Sequence, residues 1–215
     1  MKLGFQQNWD GYKKMLTEAY GHLVSNDDTL SPIVRRNGVI DFTPDPDIFT
    51  NVCESIICQQ LSSRAADAIL KRVYEMMPGR ELLPQVILDT NREEFRRCGV
   101  SYRKVEYVRE FSEKILSGKI DLEKIWELDD DGVIETLTLS RGIGTWTAKM
   151  VLIFSMGRPD VLAYEDQGIR AAVRDIYGTQ DIPDTEQIKA IAESWRPYCS
   201  IASMYLWKYR DGKVK

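Results

Sequence analysis

Residues 139–170 constrain the fold more than any other part of the 215-residue chain. The segment begins LSRGIGTWTAKMVLIFSMGRP, with two glycines around one apolar residue, an apolar run and a glycine–proline stop. Gly142 and Gly144 allow backbone angles and a close approach that a side chain would prevent. Residues 145–156 have almost no polar face, so the pattern predicts a buried helix. Only its N-terminal end, up to Lys149, is expected to reach solvent.

The start of this helix is also expected to bind an anion. A helix N-terminus carries N–H groups without intrahelical partners and the positive end of the helix dipole, and both favour a phosphate. Residues 139–158 contain three basic side chains and no acidic one, in a chain of net charge −4: Arg141, Lys149 and Arg158. A second basic cluster is accompanied by the single acid Glu106 and consists of Arg96, Arg97, Arg103, Lys104 and Arg109. Both clusters would suit a nucleic acid, whereas the turn taken alone could equally be a structural one.

Composition argues against several kinds of site. The chain has one histidine, and its four cysteines are scattered without a CxxC pair, which disfavours zinc and an iron–sulfur cluster. A single histidine also disfavours Ser-His and Cys-His catalysis, so carboxylates must carry any chemistry. The sequence has no apolar run of membrane-spanning length, and its N-terminus, MKLGFQQNWD, has no signal-peptide core. A cytoplasmic protein without membrane partners is expected, nucleoid-associated in a prokaryote.

The rest of the chain has the pattern of helices. Apolar residues recur at helical spacing over residues 8–25, and again over residues 47–77 with a break at residues 59–62. Asp166 stands directly before Gln167, Gly168 and Ile169, where it would cap the helix that follows. Strongly alternating strands, low-complexity tracts and internal repeats are lacking in the sequence. The predicted fold class is all-α.

Four blocks of sequence carry a family pattern. They are residues 55–72 (SIICQQLSSRAADAILKR), residues 98–111 (CGVSYRKVEYVREF), the hairpin LSRGIGTWTA with an Asp before a G-I-R helix start, and residues 195–209 (WRPYCSIASMYLWKY). Together they resemble the helix-hairpin-helix (HhH-GPD) DNA glycosylases, and within them the alkylbase branch, the DNA-3-methyladenine glycosylase II type. The resemblance implies a single all-α unit of two helical lobes with a base-binding cleft between them. It places lobe one at about 50–145 and lobe two at about 1–49 plus 160–215. It also implies a monomer without the extra N-terminal β-domain of larger relatives.

The resemblance implies a reaction as well. Members of this branch hydrolyse the N-glycosidic bond of alkylated purines, such as 3-methyladenine and 7-methylguanine, in duplex DNA after flipping the base out. Asp166 holds the family's catalytic position, with Glu165 as the neighbouring competitor. Glycosidic cleavage builds positive charge on the sugar, which a fixed carboxylate stabilises, and the same carboxylate could orient or deprotonate water. The family's usual proline and small residue before the acidic pair are here Ala163 and Tyr164, so Tyr164 is expected to alter which base is accepted.

By the same resemblance, Trp207 is the stacking platform of the base pocket, with Trp146 at its edge and Tyr164 and Met150 beside it. An aromatic face binds a cationic alkylated base by an extra ~0.5–2 kcal/mol. Lyase-capable relatives have a nucleophilic lysine where this chain has Trp146, so a monofunctional enzyme that uses water is predicted. Lys149 is interpreted as a solvated or phosphate-facing lysine. Two alternatives stay open: a bifunctional or oxidised-base glycosylase/lyase that uses Lys149, and a non-catalytic DNA-structure binder.

Contacts with double-stranded DNA are implied at two turns. The turn at Gln60 and Leu61 is similar to the one that pushes a wedge residue into the space left by the flipped nucleotide, although these residues could also form a solvated connection. The hairpin at residues 139–144 is expected to hold the phosphate backbone through N–H groups, with a monovalent cation bridging carbonyls to phosphate as in relatives. No other cofactor and no transition metal is expected. The residues expected to bind DNA at the hairpin are Arg141, Gly142, Gly144, Thr145 and Lys149.

Overall fold

The computed structural model describes residues 9–213 of the chain, with side chains from residue 11 to residue 212. This part is built from α1 (Trp9–Asn26), α2 (Ser31–Asn37), α3 (Ile48–Cys58), α4 (Ser63–Met76), α5 (Pro84–Asp89), α6 (Arg92–Cys98), α7 (Tyr102–Leu116), α8 (Asp130–Thr138), α9 (Thr145–Met150), α10 (Gln167–Tyr177), α11 (Thr185–Ala192) and α12 (Cys199–Lys213). Short 3₁₀ turns lie at Pro78–Arg80, Lys124–Glu127 and Glu193–Trp195, and a π-helical segment, Val151–Ser155, follows α9. Residues 9–213 contain no β-strand, which confirms the all-α prediction. None of the helices in this range is long and apolar enough to cross a bilayer.

Short polar side chains fix where many of these helices begin. Ser62, Ser101 and Asp129 accept backbone N–H groups at the starts of α4, α7 and α8. Capping boxes begin α6, at Asn91, and α11, at Asp184. Each such cap contributes about 0.5–2 kcal/mol because it satisfies N–H groups that lack an intrahelical partner. The predicted break at residues 59–62 is confirmed, since it separates α3 from α4.

The chain divides into two compact units, of which one runs from Asp45 to Met156. This unit comprises α3 to α9 and the π-helical segment, so the helix after the hairpin belongs to it. Helix α7 packs against α3, α5 and α6. Its Phe111 is fully buried and stacks on Phe49, with 5.5 Å between the ring centroids. One side of α7, with Val105, Val108, Phe111 and Ser112, is buried in the core of the unit.

The other unit comprises the chain up to Pro44 and from Gly157 onward. Its core contains a buried carboxylate, Asp27. Oδ2 of Asp27 accepts hydrogen bonds from the Tyr177 hydroxyl at 2.5 Å, the Ser194 hydroxyl at 2.9 Å and the Trp195 indole Nε1 at 2.9 Å. A buried charge is tolerated only when donors surround it. Because Tyr177 is the last residue of α10, this network fixes the helix that Asp166 precedes.

Candidate functional site

Asp166 is the N-cap of α10, as the sequence predicts. Its Oδ1 accepts the backbone N–H of Ile169 at 2.8 Å and the indole Nε1–H of Trp207, on α12, at 3.1 Å. Gly168 lies beside the pair: a Cβ there would stand 3.0 Å from Asp166 Oδ1 and 3.4 Å from Trp207 Cδ1. The two donors hold the carboxylate in one orientation. Asp166 and Trp207, predicted as catalytic residue and stacking platform, are thus brought into direct contact.

Tyr164, the predicted departure from the family pocket, lies half-buried two residues before Asp166. The ammonium Nζ of Lys189 stands 5.5 Å from the centroid of the Tyr164 ring, and it also donates a hydrogen bond to Glu186 at 2.9 Å. A cation at this distance is attracted by the ring face. The Tyr164 ring therefore lies beside the Lys189 side chain of α11, in the same unit as Asp166.

The hairpin contains two glycines with different surroundings. Gly142 has φ +86°, and a Cβ on it would lie 2.3 Å from Cδ2 of Tyr107, which is a steric clash. Gly144 is the exposed N-cap of α9, with φ −96°, and a Cβ there would have no neighbour within 4 Å. The protein itself requires a glycine at Gly142, whereas nothing within the described chain requires one at Gly144.

Charged side chains of α7 hold the hairpin loop. Glu110 accepts hydrogen bonds from the Arg141 backbone N–H at 3.2 Å, from the Arg141 guanidinium and from the Lys114 ammonium. Lys114 in turn donates to the carbonyl oxygen of Leu139 at 2.6 Å. Burial raises the pKa of the Glu110 carboxyl, but the hydrogen bonds from Lys114 and Arg141 outweigh it and hold this pKa at about 2. Arg141, predicted to bind phosphate, is exposed apart from this contact.

This pairing predicts an acid-dependent loss of stability. The pKa of Glu110 in the folded chain lies below its ordinary value of 4.5, so the stability that its carboxylate contributes is complete above that pH and is lost as the pH falls towards 2. We expect Glu110→Gln to lower the melting temperature at neutral pH, and the difference from the wild type to close on acidification. Thermal unfolding followed by circular dichroism checks this, with the exposed Glu113→Gln on the same helix as control. A difference that stayed constant down to about pH 2 would contradict the prediction.

The predicted wedge turn lies between α3 and α4. Gln60 is exposed and has φ +59°, an uncommon left-handed conformation for a residue other than glycine, while Leu61 is half-buried. Strained backbone of this kind is often found at functional sites. The preceding residue, Gln59, donates from its side-chain Nε2 to the Gly142 carbonyl at 2.8 Å. The structure therefore joins the wedge turn to the hairpin, a contact between residues 83 positions apart that the sequence pattern did not reveal.

Helix α9 differs from its prediction at Lys149. Thr145 and Trp146 are exposed, the latter to 39%, and Met150 is half-buried. Lys149 is only 7% exposed, so the expectation that it reaches solvent is wrong. The reason is that Lys149 lies one turn inside a helix whose continuation, residues 151–153, is buried on all sides.

The second basic cluster also differs from its prediction as a set of side chains free to contact a nucleic acid. Arg96 donates to the Val100 carbonyl, Lys104 to the carbonyls of Ile57 and Gln59, and Arg109 to the carbonyls of Ile87, Leu88 and Thr90. These three side chains stabilise the ends of helices and loops of their own unit. Of the cluster, Arg97 and Arg103 are exposed and have none of these carbonyl contacts.

The described residues contain no group of three or more His, Cys, Asp or Glu side chains that could hold a metal ion. A monovalent cation at the hairpin would need backbone carbonyls. The Leu139 carbonyl already accepts the Lys114 ammonium and the Gly142 carbonyl accepts the Gln59 amide. Each of these oxygens keeps a second lone pair that a cation could use.

Comparison with known proteins decides the family. A family model described as "HhH-GPD superfamily base excision DNA repair protein" matches residues 53–197. The chain belongs to this superfamily. The matched part of the HhH-GPD chain includes the wedge turn, the hairpin and the Asp166 cap, and it confirms the resemblance inferred from the four sequence blocks.

Named relatives of this HhH-GPD protein agree with the assignment. The chain is 32% identical over 200 residues to DNA-3-methyladenine glycosylase 1 of Schizosaccharomyces pombe, covering 90% of this chain and 87% of the relative. Its structure resembles that of S. pombe 3-methyladenine DNA glycosylase (Mag1) in complex with abasic DNA, with a TM-score of 0.82, 31% identity and coverage of 91% and 97% of the two chains. It also resembles a DNA-3-methyladenine glycosidase from Bacillus halodurans, with a TM-score of 0.80, 33% identity and coverage of 91% and 90%.

Proposed function

We propose that this HhH-GPD protein is a monofunctional DNA glycosylase that hydrolyses the N-glycosidic bond of alkylated purines in duplex DNA. The observation that carries the proposal is the carboxylate of Asp166, which is fixed by the Ile169 N–H and the Trp207 indole. The relatives from S. pombe and Bacillus halodurans, similar over most of this chain, bear 3-methyladenine glycosylase or glycosidase names, and the S. pombe protein was solved with abasic DNA. Abasic DNA is the product that such a reaction leaves.

The chemistry that we assign to Asp166 is electrostatic. As the bond between the sugar C1′ and the base nitrogen breaks, its electron pair leaves with the base and positive charge develops on the sugar. An ionised carboxylate held in place stabilises that charge without having to reorganise. A water molecule then adds its oxygen to C1′ and gives up a proton, to Asp166 or to solvent. The products are the free base and an abasic sugar.

Recognition of the base is assigned to aromatic side chains. N3- and N7-alkylated purines are cationic, and the Trp207 ring next to Asp166 offers a face that attracts a cation. We assign Tyr164 to the pocket on the family resemblance, and its ring lies 5.5 Å from the Lys189 ammonium. We assign Trp146 and Met150 to recognition of the base on the family resemblance alone. The cost of unstacking a base, a few kcal/mol, is least for a damaged one, and this adds selectivity.

Binding of DNA is assigned to the hairpin and the wedge turn. The open space around Gly144 would let a phosphate approach the backbone at the start of α9. Gln60, exposed and held in a left-handed conformation, is our wedge residue, with Leu61 beside it. Because Trp146 occupies the position of the lyase lysine, and Lys149 is buried, we expect water rather than a lysine to accept the sugar.

The direct test is incubation with methylated duplex DNA. We expect released 3-methyladenine or 7-methylguanine, identified by chromatography, and strand breaks that appear only after hot alkali. Breaks without alkali, together with a covalent adduct trapped by borohydride, would indicate a lyase that uses Lys149. Binding of abasic DNA without release of any base would instead favour a DNA-structure binder.

A further inference from the structure

One face of α7 contacts both turns assigned to DNA. Lys104, Tyr107, Glu110 and Lys114 follow one another at intervals of three, three and four residues, which places their side chains along one side of a helix. We call these four residues the α7 brace. All of them belong to the unit from Asp45 to Met156, as do the wedge turn and the hairpin.

The first residue of the brace holds the wedge turn. The Lys104 ammonium donates to the carbonyl of Ile57 at 2.8 Å and to that of Gln59 at 2.7 Å. These carbonyls lie at the C-terminal end of α3, where backbone acceptors have no partner within the helix and the dipole favours a cation. Lys104 therefore fixes the residues directly before the left-handed Gln60.

The other three residues hold the hairpin. The Tyr107 ring packs on Gly142 so closely that a Cβ there would be 2.3 Å away. Glu110 accepts the Arg141 N–H, and Lys114 binds the Leu139 carbonyl. The amide of Gln59 then joins the wedge turn directly to the Gly142 carbonyl at 2.8 Å. Wedge turn, brace and hairpin thus form a closed circuit of contacts.

We infer that the α7 brace sets the spacing between the hairpin and the wedge turn, so that gripping the phosphate backbone places Gln60 where it can fill the gap left by the extruded nucleotide. The inference rests on the proposed function, because it takes the DNA roles of the two turns from it. Lys104 and Gln59 are then positioning residues: they act on the lesion through Gln60. Loosening either contact should raise the cost of extrusion without altering the chemistry at Asp166.

The test compares Lys104→Met and Gln59→Leu with Lys104→Arg, which keeps charge and donors, and with Lys119→Met, which removes an exposed lysine just beyond α7. Single-turnover release is measured from two duplexes, one with the lesion correctly paired and one with it mismatched, where extrusion is cheaper. We expect Lys104→Met, which removes two hydrogen bonds from a charged group, to lose at least about tenfold on the paired lesion, and Gln59→Leu, which removes one neutral hydrogen bond, to lose about fivefold. On the mismatched lesion the loss should be within about twofold. Lys119→Met should match the wild type, and Lys104→Arg should recover most of the rate.

A variant that is merely less stable loses rate on both duplexes alike, so equal losses would overturn the inference, as would no loss. If Lys104→Met does not fold, Gln59→Leu alone tests the inference, because it removes only one neutral hydrogen bond and should leave the protein folded. A second readout is independent of excision: the fluorescence of 2-aminopurine beside an abasic analogue, in duplex saturated with protein, reports unstacking by the wedge. A weaker fluorescence rise with Lys104→Met than with wild type supports the brace, and equal rises refute it. This holds even if the wild type releases no alkylated base, in which case only the proposed function fails.

Discussion

An Asp166→Asn protein is expected to release alkylated purines at least about 100-fold more slowly than the wild type, the scale on which a fixed electrostatic group contributes to catalysis. Asparagine caps a helix about as well as aspartate, so its side-chain oxygen can still accept the Ile169 N–H and the Trp207 indole that now bind Asp166 Oδ1. The substitution removes the negative charge while keeping these contacts. Its effect on folding should therefore be small, and its affinity for abasic DNA should stay within a few-fold of the wild type.

Single-turnover release from methylated duplex DNA measures this effect, with thermal unfolding and abasic-DNA binding measured in parallel. Glu165→Gln is the matched control, because it neutralises the adjacent half-buried carboxylate and leaves the cap in place. We expect it to retain most of the activity. A fully active Asp166→Asn protein would refute the catalytic assignment, and a larger loss with Glu165→Gln would transfer the role to Glu165.

The sequence was most informative where structure depends on neighbours in the chain. The cap at Asp166 and the break between α3 and α4 follow from residues within a few positions of each other, and both are present in the structure. The hydrogen-bond partner of the Asp166 carboxylate was harder to predict from the sequence. Trp207 lies 41 residues away and was expected only to stack on a base, whereas its indole N–H binds Asp166 directly. One side chain can serve both roles, because the ring face remains distinct from the N–H edge.

The sequence was least informative about basic residues. Charge alone does not distinguish a lysine that meets phosphate from one that binds a carbonyl of its own chain, and Lys104 does the latter. Lys149 is buried for a related reason, since the short helix α9 continues directly into the buried residues 151–153 and leaves no solvated side one turn from its start. The chain has a net charge of −4, and fewer of its basic side chains are available to contact DNA than the number of Arg and Lys residues in the two clusters suggested. Backbone N–H groups at the hairpin would then supply a larger share of the hydrogen bonds to the phosphate backbone of DNA.

Substitutions of the two hairpin glycines are expected to affect different properties. Gly142→Ala should lower the stability of the fold, whereas Gly144→Ala should lower the affinity for DNA. Gly142→Ala would adopt a left-handed conformation, which costs about 1–2 kcal/mol, and would force its Cβ against the Tyr107 ring, 2.3 Å away. Overpacking of this kind costs typically ~1–3 kcal/mol. We therefore expect a loss of about 2–5 kcal/mol in the free energy of unfolding, seen as a melting temperature lower by about 5–15 °C. In a double-mutant cycle, Tyr107→Ala should relieve part of the penalty, because it removes the ring that the new methyl group strikes.

Gly144→Ala should behave in the opposite way. Its backbone has φ −96°, which alanine adopts readily, and no atom lies within 4 Å of the added Cβ. Alanine is a poorer N-cap than glycine by no more than about 1 kcal/mol, so the melting temperature should change little. If this space is kept for a phosphate, affinity for abasic duplex DNA should fall about tenfold, the loss of one hydrogen bond to a charged group. Binding titrations at fixed ionic strength measure this affinity. An unchanged affinity of the Gly144→Ala protein would show that the exposed hairpin glycine has no role in DNA binding. A fall in affinity without a fall in melting temperature would instead show that one glycine of the hairpin serves the fold and the other serves the ligand.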